Sequence, residues 1–140
     1  MFMKTIYLFL SACCCLVLGA CTAPEPTTQN NGIMGKWRLV EELGDPGDGS
    51  GTFQPVAKGA ERILVFERGG SFREIRGPIY SSTNVYDTYE LLEDNKIRLT
   101  SEAQENTPPM IWTYYELTPH SVTIGFSCIE ACLGKFVAVP

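Results

Sequence analysis

From residue 35 onward the apolar positions do not recur at helical spacing. No stretch keeps a 3.6-residue period beyond two turns, whereas short runs of β-branched and aromatic residues recur between turn signals. The pattern predicts strands near 36–43, 61–67, 71–77, 85–93, 96–101, 110–117, 121–127 and 134–139. Arg68-Gly69-Gly70, Glu93-Asp94-Asn95 and Thr118-Pro119-His120 read as hairpin connectors, as does a turn between Cys128 and Cys132. Short strands joined mostly by tight turns predict an all-β domain. We expect a small antiparallel up-and-down meander closing into a barrel of about eight strands, because closure removes exposed edges.

One connector breaks the rhythm. Gly44 to Ala60 holds five of the 13 glycines and the run Asp45-Pro46-Gly47-Asp48-Gly49-Ser50-Gly51. A loop this long inside a compact domain is usually functional or mobile. Glycines that accept positive φ and aspartates that bond their own backbone explain the composition as a chain of tight turns. Asp45, Asp48 and Ser50 crowd oxygen donors together, but their spacing does not match an EF-hand loop and no bidentate Glu follows. No metal site is expected.

The first twenty residues read as an address. Lys4 is followed by an apolar run from Ile6 to Leu18 interrupted only by Ser11, which is the layout of a secretory signal. The run is shorter than the roughly 20 residues a membrane-spanning helix needs. It ends in Leu18-Gly19-Ala20-Cys21, small residues directly before a cysteine. This resembles the lipobox of bacterial lipoproteins, which implies that Cys21 is acylated and becomes the first residue of the mature chain. Acyl chains at about 0.8 kcal/mol per buried methylene would hold the protein on a bilayer. An ordinary signal peptide cleaved after Ala20 is the competing reading. Residues 22–34, polar and proline-bearing, read as a flexible tether. The organisation expected is a signal peptide at 1–20, a lipidated Cys and tether at 21–34, and a barrel domain at 35–140.

Charge and cysteine content narrow the chemistry. The 140 residues carry 11 Lys plus Arg against 16 Asp plus Glu, a formal charge of −5. Losing Lys4 with the signal leaves 10 cations against 16 anions, or −6. An acidic domain of this kind is not expected to bind nucleic acid, which requires a basic face. Cys13, Cys14 and Cys15 leave with the signal, and Cys21 is consumed by lipid. Cys128 and Cys132 remain, an isolated pair in an oxidising compartment, and so predict a disulfide. Residues four apart in a strand lie about 13 Å apart and a disulfide tolerates no more than about 6.8 Å, so the chain between them must turn. His120 is the lone imidazole, too few for a His-based metal site.

Catalysis finds little support in the chain. His120 sits beside Pro119 in a turn, without a pattern that presents a nucleophile. The acids Glu41, Glu42, Glu90, Glu93 and Glu116 read as strand-surface charges rather than a glycosidase pair. Arg62, Arg68, Arg73 and Arg76 alternate with Glu61, Glu67 and Glu74 on one hairpin and read as a solvated outer face. No cofactor is expected, and the chain reads as a non-enzyme.

Gly35-Lys36-Trp37 opening the first strand, the Asp45–Gly51 loop, Phe66 to Phe72 around Gly69-Gly70, and the ending Cys128 to Phe136 together resemble the lipocalin-like domain of small bacterial lipoproteins. The resemblance covers Gly35 to Pro140. It implies a barrel whose floor is closed by Trp37. In lipocalins an Arg packs over that Trp; the last strand here offers Lys135 for the role. The barrel interior either is filled by aromatic side chains or holds one small apolar or amphipathic guest. The residues that would line such a guest are Trp37, Phe66, Tyr89, Trp112, Tyr114 and Phe126, with Phe53 as a lid. Two functions follow as expectations: a ligand-binding lipoprotein of the bacterial envelope, held on the outer membrane by its lipid, or an envelope interaction protein with a solid barrel and a surface partner site.

Overall fold

A computed structural model describes residues 30–80 and 84–140. The proposed signal peptide, Cys21 and most of the tether lie outside the described residues. The described chain is all-β, and its strands form one antiparallel sheet: β1 (Gly35–Gly44), β2 (Gln54–Pro55), β3 (Arg62–Phe66), β4 (Phe72–Arg76), β5 (Thr88–Leu92), β6 (Lys96–Thr100), β7 (Met110–Tyr115), β8 (Ser121–Gly125) and β9 (Cys132–Val139). All eight expected strands are present. The two-residue β2 was not anticipated.

Around the sheet the order is β4-β3-β1-β9-β8-β7-β6-β5, with β2 paired to β1. First and last strands close on each other, from Lys36 opposite Val139 to Gly44 opposite Cys132. Full closure was expected, and the barrel stops short of it at one seam between β4 and β5. There Ser71 bridges Thr88, Phe72 N–H donates to Asp87 O (2.8 Å) and Tyr89 N–H donates to Gly70 O (2.7 Å). Beyond Phe72 the two edges part.

Up-and-down order sorts the connections between two ends. The short turns 67–71, 93–95 and 116–120 lie at one end, and the longer connections 45–61, 101–109 and 126–131, with the described residues between β4 and β5, lie at the other. Asp94 and Asn95 both take left-handed backbone (φ 59° and 56°), the pair of positive angles that tight hairpins require. The chain enters at the tight-turn end, where Asn30 N–H donates to Pro119 O (2.8 Å). Ile33, in the segment read as tether, is buried, and its carbonyl accepts the Trp37 indole N–H (2.7 Å). This is the closed end.

Alternation along the strands builds the core, with Trp37, Leu39, Leu64, Phe66, Phe72, Ile97, Leu99, Trp112, Val122, Ile124 and Phe136 facing inward and buried. Gly134 lies among them because a β-carbon there would come within 2.8 Å of both Leu39 and Phe136. The loop after β1 folds back along the β1 edge: Glu41 lies opposite Pro55, and Val56 N–H donates to Val40 O (3.1 Å). Asp45 organises its tip by accepting the N–H of Gly47, Gly49 and Gly51 (2.7, 3.0 and 2.9 Å). Those bonds hold the Asp45 carboxyl below its usual pKa, Gly51 contributing most. Cys128 and Cys132 form a disulfide across a turn, with Cα atoms 6.0 Å apart.

Candidate functional site

The hairpin β3–β4 carries the site, and its alternation explains why. Arg62, Leu64 and Phe66 share one face of β3; Phe72, Glu74 and Arg76 share one face of β4; the registers Arg62 to Arg76, Leu64 to Glu74 and Phe66 to Phe72 align the two sets. Leu64, Phe66 and Phe72 are buried, so the three charged residues belong to the inward face as well. The solvated face expected for this hairpin is therefore half right. Arg73 and Glu67 do pair outside, 3.0 Å apart and exposed, and Arg68 is exposed beside them. Arg62, Glu74 and Arg76 instead form an inward triad at the loop end.

Glu74 is its centre. Its side chain is 1% exposed, and its two carboxylate oxygens accept separately from Arg62 Nε and from Arg76 Nη2, the latter at 2.8 Å. The hydrogen bond that Arg76 donates to Glu74 raises the Arg76 guanidinium pKa against the opposing effect of burial. The Arg62 guanidinium lies over the Phe126 ring (4.2 Å to the centroid) and beside Trp112 (5.3 Å), while Arg76 approaches Tyr80 (5.5 Å). Planar guanidinium on an aromatic face combines charge with dispersion and fixes the orientation of the fork.

The unsealed seam opens beside the triad. An open pocket of about 490 Å³ lies beside β4, lined by Phe72, Glu74, Arg76, Tyr80, Asn84 and Tyr86 among others. Its existence has a local cause. Asn84 Nδ2 donates to Tyr86 O (2.8 Å) and Tyr86 N–H donates to Asn84 Oδ1 (3.3 Å), so this side chain takes up main-chain groups that a ladder to β4 would otherwise use. The Asp87 carboxylate turns away and accepts from Glu102 and Ala103 N–H (2.9 and 3.4 Å).

The residues expected to line a guest fall into three groups. Phe66, Tyr89, Trp112 and Phe126 come together with Phe72 and Phe136 in one chain of ring contacts. Tyr89–Phe66 and Phe66–Phe72 are each 5.1 Å, Phe72–Trp112 is 5.8 Å, Trp112–Phe126 is 5.1 Å and Phe126–Phe136 is 6.3 Å. Tyr89 also donates to Glu67 O (3.1 Å), and burial pushes its phenol pKa up. Trp37 and Tyr114 belong to the core cluster, Trp37 buried at the closed end and Tyr114 half-buried opposite Ile124.

Phe53 forms the third group alone. It was expected as a lid over the barrel mouth, but it sits against Lys135 Nζ (4.1 Å) and lines a shallow outer pocket with Tyr115 and Leu133. Pairing of its loop with β1 carries it there. Lys135 likewise does not cover Trp37. It pairs with Glu41 at 2.7 Å, because at its register opposite Glu41 it points to the outer face. The cation stacked beside a tryptophan is Arg62, at Trp112.

Among the described residues no group of three or more His, Cys, Asp or Glu is placed to hold a metal ion. His120 lies exposed at the closed end, in the turn before β8. Comparison of the chain with protein-family models, with curated proteins and with solved structures gives no match. The fold and site define an all-β barrel with one open seam and a charged triad at its loop end.

Proposed function

We propose that this protein is a non-catalytic lipoprotein of the bacterial envelope, anchored through Cys21, that binds a small amphipathic molecule at the open seam of its barrel. The seam pocket carries the reading: a concavity of about 490 Å³ where charged groups and aromatic rings meet suits an amphipathic guest. The kinship to lipocalin-like lipoprotein domains belongs to the same proposal, supported by the antiparallel up-and-down order of eight barrel strands. Entry of the chain at the closed end fits an anchor there, since the loop end and its pocket then point away from the membrane.

A second reading, an interaction protein with a solid barrel, is favoured by the ring chain through the interior. Trp112 is 3% exposed and has Phe72 and Phe126 at its ring, so a guest cannot occupy that position. Native mass spectrometry of protein extracted from its own membrane separates the readings. A copurifying small molecule, together with saturable binding of a neutral environment-sensitive dye, supports the first; no guest and no saturable dye binding support the second. Cys21→Ser should lose the acyl mass and release the protein from membranes, and retention in the detergent phase would reject the anchor.

A further inference from the structure

Hydrogen-bond parity along β4 decides which main-chain groups face the open seam. Gly77 N–H donates to Glu61 O (2.7 Å) and Glu67 N–H donates to Ser71 O (2.9 Å), so in this antiparallel pair the intervening Arg73 and Ile75 turn their main chain to β3. Phe72, Glu74 and Arg76 alternate with them and turn theirs to the seam, where Phe72 N–H meets Asp87 O. Glu74 comes next along the edge, and among the described residues neither its N–H nor its C=O has a partner. Both are within reach of solvent. The Glu74 side chain is 1% exposed while the residue as a whole is half-buried, so its accessible surface is main chain.

An N–H and a C=O of one residue, facing the same way on an edge strand, are the donor and acceptor that a neighbouring strand uses. The far wall does not take them, because Asn84 and Tyr86 satisfy each other. The pocket of about 490 Å³ beside β4 has apolar surface on both sides of this edge: Ile75, 51% exposed, on the outer face, and Phe72, buried, on the inner, with Tyr80 and Tyr86 also in the lining. Side chains of an added strand would alternate between the same two faces. Such a strand continues the line of β5, whose pairing with β4 is limited to the bridge between Ser71 and Thr88.

We propose that the guest of the seam is a short extended peptide that adds to the β4 edge, its main chain exchanging hydrogen bonds with the N–H and C=O of Glu74. The inference rests on the reading that the seam binds a small molecule, and it names the class of that molecule.

The intact protein in non-ionic detergent, titrated with N-acetyl-Thr-Val-Thr N-methylamide, tests it through the amide signals of β4. Without peptide the Glu74 N–H should exchange near its intrinsic rate while the ladder-bound Arg73 and Ile75 N–H stay protected. Saturating peptide should shift the Glu74 signal and slow its exchange by about fivefold or more. Three analogues, each with one backbone N–H replaced by an ester oxygen, then read the pairing. A lost net hydrogen bond is about fivefold in affinity. Every second residue of a strand points its main chain to the same neighbour, so the losses should fall on the central residue alone or on the two outer residues alone. Equal affinities for all three analogues and the parent, or saturable shifts at Tyr86 with the Glu74 N–H unmoved, would overturn strand addition and leave small-molecule binding standing. A Glu74 N–H already protected without peptide, in protein that sediments as a dimer, would assign the edge to a second copy and overturn the proposal. No saturable shift at any pocket residue up to millimolar peptide overturns it as well, and saturable binding of the neutral dye then shows whether the small-molecule reading survives.

Discussion

Asn84 and Tyr86 are tied by a reciprocal pair of hydrogen bonds, side-chain amide to main-chain carbonyl at 2.8 Å and main-chain N–H to side-chain oxygen at 3.3 Å. The arrangement is local, two residues apart, and it competes with the ladder that would zip residues 84–86 onto β4. The barrel opens where a single polar side chain substitutes for a strand.

The first prediction follows from that pair. Asn84→Ala removes both bonds and leaves the Tyr86 amide to water. Hydrogen exchange at Tyr86 should accelerate by about fivefold, the loss of roughly 1 kcal/mol of net hydrogen bonding. Global stability should change by less than that, because the segment lies at an unpaired edge. Unchanged exchange at Tyr86 would show that something else holds the seam open.

Most of the architecture was legible in the chain, because β-branched and aromatic runs between Gly, Asp and Asn turns encode a meander directly. Three things were not. Residues 84–86 carry strand-like Val85 and Tyr86, so the pattern extends the strand to 85, whereas the Asn84 bonds delay β5 until Thr88. The triad was read as an outer face because mixed charges usually are. Yet the signal was there: Arg62 shares parity with Leu64 and Phe66, and Glu74 and Arg76 share parity with Phe72. Phe53 had no such signal, since its place depends on pairing of β2 to β1 across a long loop.

Glu74 offers a second prediction. It is buried between two guanidinium groups, and truncating it leaves two cations on the inward face without their shared anion. Removing one partner of a buried ion pair costs about 3 to 5 kcal/mol, and the partial exposure of Arg62 and Arg76 places Glu74→Ala near the lower bound, about 3 kcal/mol in urea unfolding. Glu74→Gln, which keeps a hydrogen-bond acceptor, should cost less. A loss below about 1 kcal/mol for the alanine variant would mean that solvent already screens the triad, as it does for surface pairs.

A third prediction concerns pH and the loop after β1. The Asp45 carboxyl is lowered by three backbone N–H donors, so it binds protons less readily folded than unfolded. The stabilisation is then present above the unfolded value, about 3.9, and is lost as pH falls through the lower folded value. Protection of the Gly47, Gly49 and Gly51 amides, taken relative to their intrinsic exchange rates at each pH, should be present at neutral pH and fall on acidification, and Asp45→Asn should show reduced protection already at pH 7. A wild-type exchange profile in Asp45→Asn would assign the loop order to other contacts.

The disulfide gives the last prediction. Cys128 and Cys132 pin the turn that feeds β9, whose first residue lies opposite Gly44 and whose length seals the barrel against β1. A cross-link over so few residues restricts the unfolded chain only slightly, and chain-entropy reasoning gives about 2 kcal/mol. Cys128→Ser should therefore lower the unfolding free energy in urea by that amount while leaving the indole N–H of Trp37 in place, because the closed end lies at the opposite end of β9. The loosening should be confined to Phe126 to Leu133, visible as faster exchange at the Phe126 N–H, which donates to Cys132 O at 3.0 Å. Two titratable thiols in freshly purified protein would reject the bridge. Loss of the Trp37 signal on reduction would show instead that closure of β1 on β9 depends on it.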